Sequence, residues 1–105
     1  MQAGRLRHRV ELQKPIRAQD ASGEIVISWL TYATVWAFVK PLTGQERLEA
    51  QQVTPGISHE VRMRYRRDVI SDHHVLYDNR TLEIDAVIDV NEQGRELRLI
   101  CKEVA

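Results

Sequence analysis

From Ser58 to Val104 the chain alternates apolar and polar residues with period two, and this pattern constrains its fold more than any other feature. Successive side chains of a strand point to opposite faces. Val61, Met63 and Tyr65 therefore share one face, and Arg62, Arg64 and Arg66 the other. Leu82, Ile84, Ala86, Ile88 and Val90 alternate against Glu83, Asp85 and Asp89, and Leu97, Leu99 and Cys101 against Glu96, Arg98 and Lys102. A helix would need apolar residues at three- and four-residue intervals, which these segments lack. Asp78-Asn79 and Gln93-Gly94 supply the positive φ angles of tight hairpins. The C-terminal half reads as an antiparallel meander with one wet and one dry face.

The first half extends the pattern. Leu6 to Pro15 reads as a strand with Leu6, His8, Val10 and Leu12 on one face and Arg5, Arg7, Arg9 and Glu11 on the other. His8 is expected to be a tolerated polar residue near a strand end. Gln19 to Gly23 is a turn by composition. Ile25–Leu30 is a second strand, and Ala33–Lys40 a third strand or the continuation of the second past a bulge near Thr31. This stretch is apolar on both faces, so cover on both faces is expected, from a helix or another subunit. Trp29 and Trp36 read as core residues on their size. Pro41 ends the run, and Thr43-Gly-Gln-Glu46 has the spacing of a capping box ahead of a short helix over Gln45–Val53. That helix is mostly polar, with only Leu48, Ala50 and Val53 as a weak apolar stripe. It reads as lightly docked or mobile.

A chain of 105 residues suits a single domain spanning 1–105, with residues 43–57 as a projecting excursion. The expected fold is all-β: a small antiparallel barrel of six or seven strands. No apolar run is long enough to span a membrane, and no secretory signal is expected from the N-terminal residues. The lone Cys101 lies on a dry strand face, which fits a small core residue and a reducing compartment. Net charge is zero but uneven: +3 over residues 1–40, +2 over 41–67 and −5 over 68–105. Arg62, Arg64 and Arg66 lying opposite Glu83, Asp85 and Asp89 as exposed cross-strand pairs is the simpler account. The alternative is a subunit interface in which the basic side of one copy meets the acidic side of the next.

The chemistry of common active sites is missing from the sequence. The five glycines are scattered, so there is no phosphate loop, and there is no Gly-x-Ser-x-Gly elbow. His73 and His74 are adjacent on a strand and face opposite ways, which does not suit one metal ion. No catalytic residue, cofactor or metal is expected. An OB-type nucleic-acid-binding barrel remains an alternative, although neutral charge speaks against it.

Five stretches carry a specific likeness: GRLRHRVELQKP (Gly4–Pro15), VWAFVKPLTGQE (Val35–Glu46), SHEVRMRYR (Ser58–Arg66), VLYDNRTLEI (Val75–Ile84) and RELRLIC (Arg95–Cys101). Together they resemble, over nearly the whole chain, the head-tail joining proteins of long-tailed phages, also called head completion or stopper proteins. Asn79 departs from the glycine expected there, but it also tolerates the left-handed turn. The resemblance implies a structural protein of the virion, present in the host cytoplasm during assembly. It implies a homo-oligomeric ring between adaptor and portal proteins and the tail proteins. The ring helps retain packaged double-stranded DNA by steric contact, without sequence-specific binding. It also implies that the segment carrying Thr43, Gln45, Glu46, Arg47, Glu49, Gln51 and Gln52 faces the channel and takes part in closing it.

Overall fold

The computed structural model describes residues 7–104. Arg5 and Leu6, assigned by alternation to the first strand, lie outside the described residues. Six strands form one antiparallel sheet that closes on itself: β1 (His8–Gln19), β2 (Ile25–Pro41), β3 (His59–Arg64), β4 (His74–Tyr77), β5 (Arg80–Asp89) and β6 (Glu96–Val104). An α-helix, α1 (Gly44–Val53), stands between β2 and β3, and a short 3-10 turn (Val90–Glu92) joins β5 to β6. The order around the barrel is β1-β2-β3-β6-β5-β4, so the expected all-β barrel is present with six strands.

The alternation places the core well. Val10, Leu12, Val61, Met63, Val75, Leu82, Leu97, Leu99 and Cys101 are all essentially sealed from solvent inside the barrel. Burial pushes the Cys101 thiol up to about 12, so it is a packing residue rather than a nucleophile. The β4–β5 turn is as tight as its sequence suggests: Asp78 and Asn79 adopt φ 50° and 61°, between the paired residues Tyr77 and Arg80. At the β1–β2 turn, Asp20 Oδ1 accepts from the amides of Ser22 and Glu24, at 2.9 and 3.0 Å. His8 is also structural, since its Nδ1 accepts from the Val39 amide at 3.1 Å.

Several expectations are corrected. The C-terminal half is not a simple meander, because β3 pairs with β6 and not with β4. Residues between Arg64 and His74 cross the barrel end, sealing it with buried Val69. In β5 the register shifts between Ile84 and Ala86. The extra residue, Asp85, inverts the faces beyond it, as a bulge must. Val87 therefore packs on the core, while Ile88 is 40% exposed. Tyr65, expected on the dry face, lies just past β3 and is exposed.

β2 is one continuous strand, and its pairing with β1 skips Tyr32, which is the expected bulge near Thr31. Double cover is not found. β1 pairs with β4 only from Glu11 to Gln13, and β2 with β3 only from Ala37 to Pro41. From Lys14 to Leu30 the two strands pair only with each other, as an arm leaving the barrel. Trp29 and Trp36 are 44% and 51% exposed, so neither is core. Trp29 stacks on His74 at 3.7 Å between ring centroids, and Arg9 lies 5.0 Å over Trp36. The arm accounts for the elongated shape, 47 × 29 × 27 Å, with a Cα radius of gyration of 14.8 Å. A compact domain of this length would have about 13 Å.

Ile84 is 4% exposed and opposes Cys101. Ile84→Ala should lower unfolding free energy by about 2–5 kcal/mol in a denaturant titration; a loss under ~1 kcal/mol would mean that the bulge lets the core collapse around the gap.

Candidate functional site

The excursion from the barrel is built on a short clamp. The Leu42 amide donates to the Ser58 carbonyl at 2.9 Å, and the Ser58 amide to the Cys101 carbonyl at 3.0 Å. Leu42 and Ile57 are 5% and 1% exposed. Between these two anchors no residue of α1 is buried. Leu48 and Val53 are 60% and 85% exposed, so the weak apolar stripe seen in the sequence meets no wall. The helix runs Gly44–Val53, close to the expected span. The chain re-enters the barrel through Gly56, at φ 89°, where a Cβ would sit 2.9 Å from the Lys102 side chain.

The capping box is absent. Thr43 occupies the N-cap position, but its hydroxyl makes no capping bond. Glu46 turns aside to Lys40 at the end of β2, accepting from Nζ at 2.9 and 3.1 Å. A charge-assisted contact to an ammonium competes well with a neutral amide bond. The remaining side-chain tethers are few: Gln51 Nε2 donates to the Ile57 carbonyl at 3.2 Å, and Gln45 to Glu49 within the helix at 3.3 Å. Thr43, Gln45, Glu46, Arg47, Glu49 and Gln52 are exposed and Gln51 half-buried.

Beneath the first turn of α1 lies an open cleft of ≈ 510 Å³, whose lining includes Arg47, Ser58, His59, Arg80 and Glu103. Arg80 and Glu103 form a two-point ion pair at 2.7 and 2.9 Å. Arg80 also donates to His59 Nε2 at 3.2 Å, and His59 Nδ1 lies 2.8 Å from the Ser58 hydroxyl. A neutral ring with its proton on Nδ1 satisfies both contacts. Burial, then the Arg80 charge, hold the His59 pKa below the ordinary imidazole value. The group braces the root of the excursion against the ends of β5 and β6. It offers no activated nucleophile.

The outer wall is arranged differently from the sequence expectation. β6 lies between β3 and β5, so Arg62 opposes Arg98, and the three arginines do not face Glu83, Asp85 and Asp89. Arg66 pairs instead with Asp68, at 2.8 and 3.0 Å. Asp89 accepts from the Gly94 amide at 3.0 Å, and Glu83 lies 4.0 Å from Lys102. Arg64 and Asp85 are exposed. The residue that sequence reasoning missed is Glu60. Its side chain is 3% exposed on the outer wall, and Oε1 accepts from both Arg62 Nε and Arg98 Nε at 2.7 Å. Arg62 also reaches Glu96 at 3.6 Å. The signal was available: Glu60 and Arg62 are two apart on one face of a strand. Burial pushes the Glu60 pKa up, but the hydrogen bonds and charges of the two arginines outweigh this and hold it below the ordinary carboxylate range.

His73 and His74 are structural, as expected. His73 Nδ1 lies 2.7 Å from the Tyr32 hydroxyl, and His74 hydrogen-bonds Gln13 at the root of the arm. Among the described residues no cluster of three or more His, Cys, Asp or Glu side chains is placed to hold a metal ion.

A family model described as phage head completion protein matches residues 1–104. The chain belongs to the phage head completion protein family. It is 30% identical over 107 residues to head completion protein gp7 of Enterobacteria phage HK97, covering 97% of this chain and 96% of that one. Among solved structures, this head completion protein is similar to protein SF1141 from Shigella flexneri 2a, with TM-score 0.79, 26% identity and coverage of 100% and 98%. It also shares its fold with a chain in the virion of a native gene transfer agent particle, with TM-score 0.66, 19% identity and coverage of 95% and 96%. The family is structural, and this head completion protein is a component of the phage virion.

Glu60 supplies a test of the outer wall. Glu60→Gln should cost about 1.5–3 kcal/mol at pH 7, because a charged acceptor shared by two arginines is lost. The folded pKa is depressed, so the carboxylate's contribution is complete above the unfolded value near 4.3. It fades as pH falls through the lower folded value. Denaturation curves of the two proteins should therefore converge in acid; a constant gap from pH 7 to pH 3 would contradict this assignment.

Proposed function

We propose that this head completion protein forms a ring at the head–tail interface, joins adaptor and portal proteins to the tail, and helps hold packaged DNA in the head. Thr43 and the α1 residues Gln45, Glu46, Arg47, Glu49, Gln51 and Gln52 face the channel in this reading and act together as a steric gate. The observation that carries it is the clamp. Leu42 and Ile57 are buried, while no residue of the helix between them is. A segment held this way can change position while the barrel keeps its core, since the contacts it would break are few.

The composition of α1 suits contact with DNA that is steric and weak. The helix carries one arginine, Arg47, against Glu46 and Glu49. It thus lacks the basic surplus that tight phosphate binding requires. Arg62, Arg64, Arg66, Glu83, Asp85 and Asp89 enter this proposal as an interface between copies, not as pairs within one copy. Arg64 and Asp85 are exposed, and Glu83 has only a long contact to Lys102. Arg62, Arg66 and Asp89, by contrast, already have partners within the copy: Glu60 and Glu96, Asp68, and the Gly94 amide.

Deleting Gln45–Val53 tests the gate. The deletion removes no buried side chain, so midpoint and cooperativity of unfolding should stay within about 1 kcal/mol of the parent. Particles assembled with the deleted protein should carry tails but lose their DNA, measured as nuclease-sensitive genome. Particles that retain DNA normally would rule out the gate, and an unfolded deletion protein would show that the helix belongs to the core.

A further inference from the structure

The arm between Lys14 and Leu30 has a surface out of keeping with a free-standing ribbon. Among the described residues, six of the twelve large exposed hydrophobics lie on it: Ile16, Ile25, Val26, Ile27, Trp29 and Leu30, each 40–67% exposed. The pairing register divides them between two faces. Ile25, Ile27 and Trp29 lie on one, with Pro15 opposite Trp29. Val26 and Leu30 lie on the other, with Ile16 and Ala18. A two-stranded ribbon is marginal in water by itself. Among the described residues, this one is held from its own chain through the Trp29–His74 stack and the Arg17–Asp72 pair near its root. A large exposed apolar patch marks an interaction site.

We infer that the arm docks on the arm of a second copy of this chain, head to tail, the Ile27 face of one against the Leu30 face of the next. This rests on the ring proposed above and names the contact that closes it. A head-to-tail ring requires each copy to present two different, mutually complementary surfaces. The arm presents two apolar faces back to back, and a ring of arms covers both on every copy, whereas a single partner of another kind would cover one. Area points the same way. The residue pairs from Lys14–Leu30 to Gln19–Ile25 make a face roughly 20 Å long and roughly 10 Å wide, well short of the ~800 Å² per partner of a stable pair. The contact is therefore weak between two copies and becomes firm when the ring closes and each arm uses both faces. Charge does not oppose the stacking. Lys14 and Arg17 balance Asp20 and Glu24 along the arm, and Arg17 is paired with Asp72 at 3.6 Å.

The test is disulfide trapping with the full chain. Cys101 is buried and silent, so new thiols report alone. Ile27→Cys and Leu30→Cys, combined in one chain, lie on opposite faces three residues apart. Their Cα atoms, roughly 10 Å apart along a strand, cannot bridge within one chain. Oxidation at millimolar concentration, and again in assembled particles, should give a ladder of covalent multimers from the double variant. Neither single variant should give one. In sedimentation at the same concentration, Ile27→Asp should lose most of the parent's self-association while keeping its circular dichroism and melting midpoint. A dimer from Ile27→Cys alone would overturn the head-to-tail contact in favour of like-with-like pairing. No ladder in either setting, or cross-linking in particles to a different protein, would overturn the second copy as the occupant. These results are separable from the gate, since DNA loss on deleting Gln45–Val53 is read without reference to the arm.

Discussion

The barrel is closed by three residue pairs. β1 meets β4 only at Glu11–Leu76, Leu12–Val75 and Gln13–His74, and without that seam the sheet would be open with two free edges. Closure puts Leu12 and Val75 beside Leu82, Leu99 and Cys101 in one sealed core. It also sets a limit. The seam ends at Gln13, so the rest of β1 and its partner in β2 must leave the wall, and the arm begins there. Polar groups hold that departure point: Gln13 donates to the Thr31 hydroxyl at 2.9 Å and also bonds His74, on which Trp29 stacks.

The closed core gives the two projections their character. At one end α1 hangs from Leu42 and Ile57, and at the other the arm leaves beyond Gln13. Neither is needed to seal the barrel. The two differ in chemistry: α1 is polar and nearly without anchors, as suits a part that moves, while the arm is apolar on both faces, as suits a part that is covered by others. In the proposed ring, the arm would hold the neighbouring copies and α1 would gate the DNA, so both kinds of surface would be carried on one barrel.

Much of this was legible from residue order. Period-two alternation identified β3, β6 and the first part of β5, and Asp78-Asn79 identified a tight turn, because those signals are local. What failed was non-local or depended on constant register. Alternation says which face a residue occupies, not which strand lies beside it, so nothing in Arg62 or Asp85 announced that β6 would come between them. One added residue, Asp85, reversed the faces of Ala86, Val87 and Ile88. An apolar stretch such as Ile25–Leu30 looks the same in sequence whether it is buried inside the chain or exposed on an arm. In α1 the span was readable but the cap was not, because Lys40, six residues before Glu46 and on another element, took the carboxylate.

A gate built on α1 requires the helix to be mechanically independent of the barrel, and amide hydrogen exchange measures that directly. With fully native protein, the amides of Arg47 to Val53 should exchange through local opening, orders of magnitude faster than those of Val61, Met63, Leu97 and Leu99. The barrel amides should exchange together, only on global unfolding. Equal protection of helix and barrel, lost in one step, would mean that α1 is part of the cooperative core and cannot serve as a gate.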